Sequence, residues 1–234
     1  MFEKRYFGII VMVAVCAAGL WAGDTATFVD LGFSSDGKTY LFGQYGIQAK
    51  TLRPWADLYL VDVPKNNFVS GGRISYTHDT PVTAGQDGSG ALYRLISRNA
   101  ALTERYGINF LHQGQVLYIS ADDNESVAGG GFIEFRDFEQ NVSYTASLIP
   151  TNEGSGTSLV SSFYITMERT ARDGSKKNYT VGNPRVKRPL ISSYHISKVL
   201  VSPGNDAVIF VVEMRKQSDT EGRDIRYMVE TLKF

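Results

Sequence analysis

One ten-residue pattern occurs twice in this chain. Phe33-Ser-Ser-Asp-Gly-Lys-Thr-Tyr-Leu-Phe42 and Val201-Ser-Pro-Gly-Asn-Asp-Ala-Val-Ile-Phe210 both read apolar residue, Ser, turn residues, then an apolar run ending in Phe, at an offset of 168. The same offset carries Tyr59-Leu-Val-Asp62 onto Tyr227-Met-Val-Glu230. Phe110-Leu-His-Gln-Gly-Gln-Val-Leu-Tyr-Ile119 is a weaker third copy, with Gly114 in the place of Gly37. The pattern spells a strand–turn–strand unit, in which Ser and Asp side chains satisfy turn amides and Gly supplies positive φ. Such a unit cannot bury its own faces, so its copies are expected to stack or to face one another.

The rest of the chain has the same character. Runs rich in Val, Ile, Tyr, Phe and Thr are broken by Gly, Asp, Asn and Pro about every dozen residues. Leu58-Tyr-Leu-Val-Asp-Val63, Val116–Ile119, Phe132–Phe135, Phe163–Met167, Val208–Val212 and Tyr227–Leu232 all read as strands, the first buried on both faces. Asp173-Gly174 signals a hairpin. One segment is helical: Ala91, Leu92, Leu95, Ile96, Leu102 and Tyr106 fall at helical spacing, with Asp87 or Ser89 to cap the start and Gly107 to stop the end. Thr80–Gly90 and Thr151–Ser158 read as loops, the second being the best candidate linker.

Residues 1–23 are read as an export signal. Lys4 and Arg5 precede a stretch without charge from Tyr6 to Gly23, and Asp24 opens a polar region. Cleavage is expected after Ala22 or Gly23, with Gly19 as the next choice. An uncleaved anchor is the competing reading, since the apolar stretch is near the lower limit of about 17 residues for a span. A lipid-modified Cys16 ranks below both, because Val15 stands where a small residue is wanted. Residues 24–234 are then one mostly-β domain. With 24 basic and 24 acidic side chains the chain lacks the basic excess of a nucleic-acid binder. Its single Cys excludes a disulfide framework and a cysteine zinc site.

Phe33-Ser-Ser-Asp-Gly-Lys-x-x-Leu-Phe resembles the Ser-Pro-Asp-Gly-Lys turn of TolB-type and WD40-like β-propeller blades. At roughly 40–45 residues per blade, the resemblance implies about five blades in the mature chain, a plan that the helix fits poorly. The expected fold is therefore mainly β, with propeller-like stacked β-meander units and one short helix; a two-sheet β-sandwich is the alternative. A broader resemblance covers nearly the whole mature chain. The export signal, the Phe33–Gly46 segment, Asp57-Leu-Tyr-Leu-Val-Asp-Val-Pro64, Phe68-Val-Ser-Gly-Gly72 and the late Val-Ser-Pro strand are similar to a bacterial family of predicted secreted proteins, domain of unknown function 2259. That resemblance implies export and no established activity, so no catalytic residue carries over. The late turn departs from the blade motif, reading Ser202-Pro-Gly-Asn.

No assembled chemistry stands out. His78, His112 and His195 are isolated, without metal-ligand spacing. Asp122-Asp-Asn-Glu125 is the densest acidic cluster but lacks the EF-hand spacing, and reads as a solvated turn. There is no Gly-x-Ser-x-Gly elbow, Gly129-Gly-Gly131 is not followed by the Lys of a phosphate loop, and Gly156-Thr-Ser-Leu lacks a nucleophile context. Tyr45, Trp55, Tyr59 and Phe68 form either an exposed aromatic surface or core pairs. Arg169, Arg172, Lys176, Lys177, Arg185, Lys187 and Arg188 make 169–188 basic, read as a solvated hairpin tip. The sequons at Asn124, Asn141 and Asn178 are coincidental in an exported bacterial chain.

No catalytic, cofactor-binding or metal residue is assigned, and no cofactor is expected. The expectation is an exported, non-enzymatic binding or scaffolding protein, periplasmic or secreted. Its partner would be an envelope or periplasmic protein rather than nucleic acid, with no transmembrane anchor left after cleavage. A secreted hydrolase with a dispersed carboxylate or Ser/His site is the alternative. A His beside a Ser, or two close carboxylates in a deep pocket, would favour it.

Overall fold

The computed structural model describes residues 24–83, 85–120, 131–217 and 224–234. The expected export signal, the acidic cluster Asp122–Glu125, Gly129 and Gly130 lie outside them. In chain order the elements are β1 (Thr27–Ser34), β2 (Thr39–Ile47), β3 (Pro54–Asp62), β4 (Asn67–Thr77), α1 (Ser89–Arg98), α2 (Ala100–Arg105), β5 (Ile108–Asn109), β6 (Gln115–Ile119), β7 (Phe132–Asp137), β8 (Val142–Glu153), β9 (Val160–Thr170), β10 (Lys176–Val181), β11 (Arg188–Pro189), β12 (Ile191–Val201), β13 (Ala207–Lys216) and β14 (Asp224–Lys233).

The strands form three antiparallel sheets. A front sheet runs β4-β3-β2-β1-β5, a middle sheet β14-β13-β12-β6, and a rear sheet β10-β9-β8-β7, with β11 pairing β9. Side-chain alternation stacks them in layers. On β13, Ala207, Ile209 and Val211 pack with Phe33, Tyr40, Phe42 and Val61 of the front sheet. The intervening Val208, Phe210 and Val212 pack with Phe163, Ile165, Ala146 and Leu148 of the rear sheet. The middle sheet is thus covered on both faces, which explains the unbroken apolar run Ala207–Val212. On β2 and β3, Leu41, Leu58 and Leu60 turn the other way, onto Ala91, Leu92 and Leu95 of α1. Gly43 is required there: a Cβ would lie 2.6 Å from Leu92 Cδ1. Each fully buried Leu, Ile, Val or Phe contributes about 1.5–3 kcal/mol.

This layering fits the sandwich alternative. The expected propeller-like ring of blades finds no support in it, because the three sheets stack in sequence and none closes. The expected single helix is two, divided at Asn99, although Gly107 ends the segment with φ 62° as its position requires. Asp87 reaches the first residue of α1. It accepts from the Ser89 amide and hydroxyl, and the cap position falls on Gly88. Thr151–Ser158 is no linker, since Asn152 pairs Ser161 and Glu153 pairs Val160 across one hairpin.

The repeat is real at its turns. In both copies the Ser hydroxyl accepts the amide five residues on, Thr39 at 2.9 Å and Ala207 at 3.0 Å. It also donates to an Asp, Asp36 at 2.7 Å and Asp206 at 2.9 Å. The residue three on donates back to the Ser carbonyl with positive φ, Gly37 at 67° and Asn205 at 56°. The hairpin register agrees too: Phe33 pairs Tyr40, and Val201 pairs Val208. The third strands do not agree. Phe42 pairs Tyr59, whereas Phe210 pairs Glu230, a slip of three residues from the ungapped alignment. The third copy is no hairpin, because β5 joins the front sheet and β6 the middle one. Gly114 serves close packing instead, a Cβ there lying 3.0 Å from the Val201 carbonyl oxygen.

Candidate functional site

The outer face of the rear sheet carries a shallow depression. On β8, Val142, Tyr144, Ala146 and Leu148 turn inward to the core, so Ser143, Thr145 and Ser147 turn outward. The same alternation leaves Thr166 and Glu168 of β9 and Asn178 and Thr180 of β10 on the outer face. Register aligns them in rows across four strands. Phe132, Ser147, Thr166 and Thr180 form one row, and Glu134, Thr145, Glu168 and Asn178 the next. Each row spans roughly 14 Å, three strand spacings.

Thr145, Ser147, Thr166, Glu168, Asn178 and Thr180 line a depression of ≈ 380 Å³. Glu168 is held by Lys176, Nζ to Oε1 at 2.8 Å. The side chains of Thr145, Ser147, Thr166, Asn178 and Thr180 make no hydrogen bond to any described residue, leaving hydroxyl and amide donors and acceptors open. Phe132, 65% exposed, stands at the end of the hydroxyl row and supplies an apolar ring face. Aromatic face, hydroxyls, amide and one carboxylate together suit a polar ligand lying across the strands.

Of the two readings of Tyr45, Trp55, Tyr59 and Phe68, packing in the core is the one found. Trp55 is buried and donates from Nε1 to Asp24 Oδ1 at 2.7 Å. Tyr59 and Phe68 pack between front and middle sheets, while Tyr45 packs on the helix side. Burial pushes the Tyr59 hydroxyl up to about 12. The basic stretch is dispersed through the fold: Arg169 lies over Phe234, Lys177 over Tyr179, and Arg188 over Phe163 with Glu230 at 3.7 Å. Among the described residues, no group of three His, Cys, Asp or Glu could hold a metal ion. His78 accepts the Thr80 amide through Nδ1, and the His112 carbonyl accepts the Phe33 amide.

One juxtaposition escaped the sequence reading. His195 Nε2 lies 2.7 Å from Ser120 Oγ. The row continues in register to Glu213 on β13 and Tyr227 on β14. A nucleophilic Ser and its general base make contacts of this length. The oxygens of Glu213 receive Arg215 Nε at 2.9 Å and the Tyr227 hydroxyl at 3.4 Å. Alternation could have found His195 and Glu213 on one face, but only strand order brings Ser120, 75 residues away, beside the ring.

No described helix is long and apolar enough to cross a membrane. No curated protein and no solved structure matches the chain. A family model does, over residues 41–233, and its description is a predicted secreted protein of unknown function. That match takes in the front sheet from β2 onward, the middle sheet and the rear sheet, so this chain belongs to the predicted secreted proteins of domain of unknown function 2259.

Proposed function

We propose that this protein is exported to the periplasm or beyond and works as a binding protein, with the outer face of the rear sheet receiving an envelope oligosaccharide. The observation that carries the reading is the set of five unspent hydroxyl and amide side chains, in register and flanked by exposed Phe132. Sugars present hydroxyl edges and apolar ring faces, and this face has the complement of both. Calorimetric titration of the chain from Asp24 onward with a panel of α- and β-linked oligosaccharides tests it. At least one should bind, and Thr166→Val with Asn178→Ala should weaken it about tenfold, or 1.4 kcal/mol, without lowering Tm. Failure of the whole panel, or indifference to the two substitutions, would overturn the reading.

The Ser120–His195 contact favours a second reading, a secreted hydrolase. A fluorophosphonate probe separates the two. The binding reading predicts no labelling, whereas labelling at Ser120 that His195→Gln abolishes would establish the hydrolase.

A further inference from the structure

Every polar atom of Asp24 has a partner. Its amide nitrogen lies 3.0 Å from Asp224 Oδ1. Its carbonyl receives the Ile225 amide at 3.1 Å and Arg226 Nη1 at 2.7 Å. Oδ1 receives Trp55 Nε1 at 2.7 Å, and Oδ2 receives Arg226 Nη2 at 2.8 Å. The Arg226 guanidinium lies 4.0 Å over the Trp55 ring. Arg226 pairs with the Asp24 carboxylate at 2.8 Å. The Asp224 carboxylate faces the Asp24 nitrogen.

We propose that the leader is cut between Gly23 and Asp24, and that the α-ammonium so formed is the cation seated on Asp224. The proposal rests on the export reading and places the cut at one bond. A leader-cleaving membrane protease adds water across the Gly23–Asp24 amide. Gly23 keeps the carboxylate, and the Asp24 nitrogen takes up protons to become an ammonium. An amide–carboxylate hydrogen bond at 3.0 Å becomes an ammonium–carboxylate ion pair, charged on both sides. Cleavage after Ala22 or Gly19 would leave the charge one or four residues away from this seat. Among the described residues, the charged groups near it include Asp24 and Arg226, with Lys216 paired in register to Asp224 on β13.

N-terminal sequencing of the exported protein from its own envelope should read Asp-Thr-Ala. A start at Gly23 or Leu20, or at Met1 in the envelope fraction, overturns the cut site alone; a start at Met1 in the cytosol strikes the export reading itself. A second measurement reads the ammonium. The folded state raises the amine above its unfolded value of about 8, so its stabilisation is present below that pH and is lost as pH rises through the folded value. A chain beginning at Asp24 should melt about 2–4 °C above one beginning at Leu20 at pH 6. The gap should close by about pH 10, and Asp224→Asn should remove it. Equal Tm values at pH 6, or a gap that does not change with pH, contradict the seat.

Discussion

Ser34 and Ser202 each hold a turn with one hydroxyl that both accepts and donates, and both are nearly or wholly buried. Replacing either with Ala strands a strand-entry amide, so each should cost about 1–3 kcal/mol, read as similar losses of Tm. Those turns were legible because their hydrogen bonds span five residues at most. The left-handed place was harder to read, since Asn205 fills it where the first copy has Gly37. Buried carboxylates set a second residue-scale effect. Burial raises Asp30 and Glu230, outweighing the Gly32 amide at the first and Asn66 and Arg188 at the second. A carboxyl raised on folding stabilises fully below its unfolded value, near 4, and that stability is lost as pH rises through the folded value. Asp30→Asn should therefore raise Tm at pH 7 relative to the parent, and the advantage should vanish below about pH 4.

Among the elements, β14 is the free edge of the middle sheet, and three of its outward amides are closed from the front-sheet side. Ile225 donates to the Asp24 carbonyl at 3.1 Å, Tyr227 to Gln44 Oε1 at 2.8 Å and Thr231 to Asn66 Oδ1 at 2.7 Å. Side chains stand in for a neighbouring strand, which denies that edge to another chain. Gln44→Ala and Asn66→Ala should speed hydrogen exchange at the Tyr227 and Thr231 amides, with that of Val211 unchanged. Leu92→Ala on α1 should cost about 2–5 kcal/mol through the cavity left over Gly43. Helical spacing identified the α1 residues that are buried, Ala91, Leu92 and Leu95. It did not foresee the break at Asn99, whose amide group turns back to the Leu95 carbonyl at 2.8 Å. The slip of β14 against β3 was equally hidden, because register depends on the loop before each strand and the two loops differ.

The described residues form a helix pair and three sheets in sequence, with the most apolar sheet in the middle. The first and last meanders face one another, as the repeat implied, through Phe33, Tyr40 and Phe42 against Leu200, Ile209 and Val211. What no local pattern disclosed is that the segment between them builds a third sheet on the opposite face. The candidate site lies there, assembled from single outward residues of adjacent strands whose sequence reads only as polar alternation. Its hydroxyl rows exist because β7, β8, β9 and β10 pair in one register. The central claim is that this face binds an oligosaccharide. Amide chemical-shift mapping of the chain from Asp24 onward, titrated with the tightest-binding sugar of the panel, tests it most directly. Shifts should concentrate at Thr145, Ser147, Thr166, Glu168, Asn178 and Thr180, with Phe132 at their margin. Shifts centred on Ser120 and His195, or none on the rear sheet at saturating sugar, would contradict it.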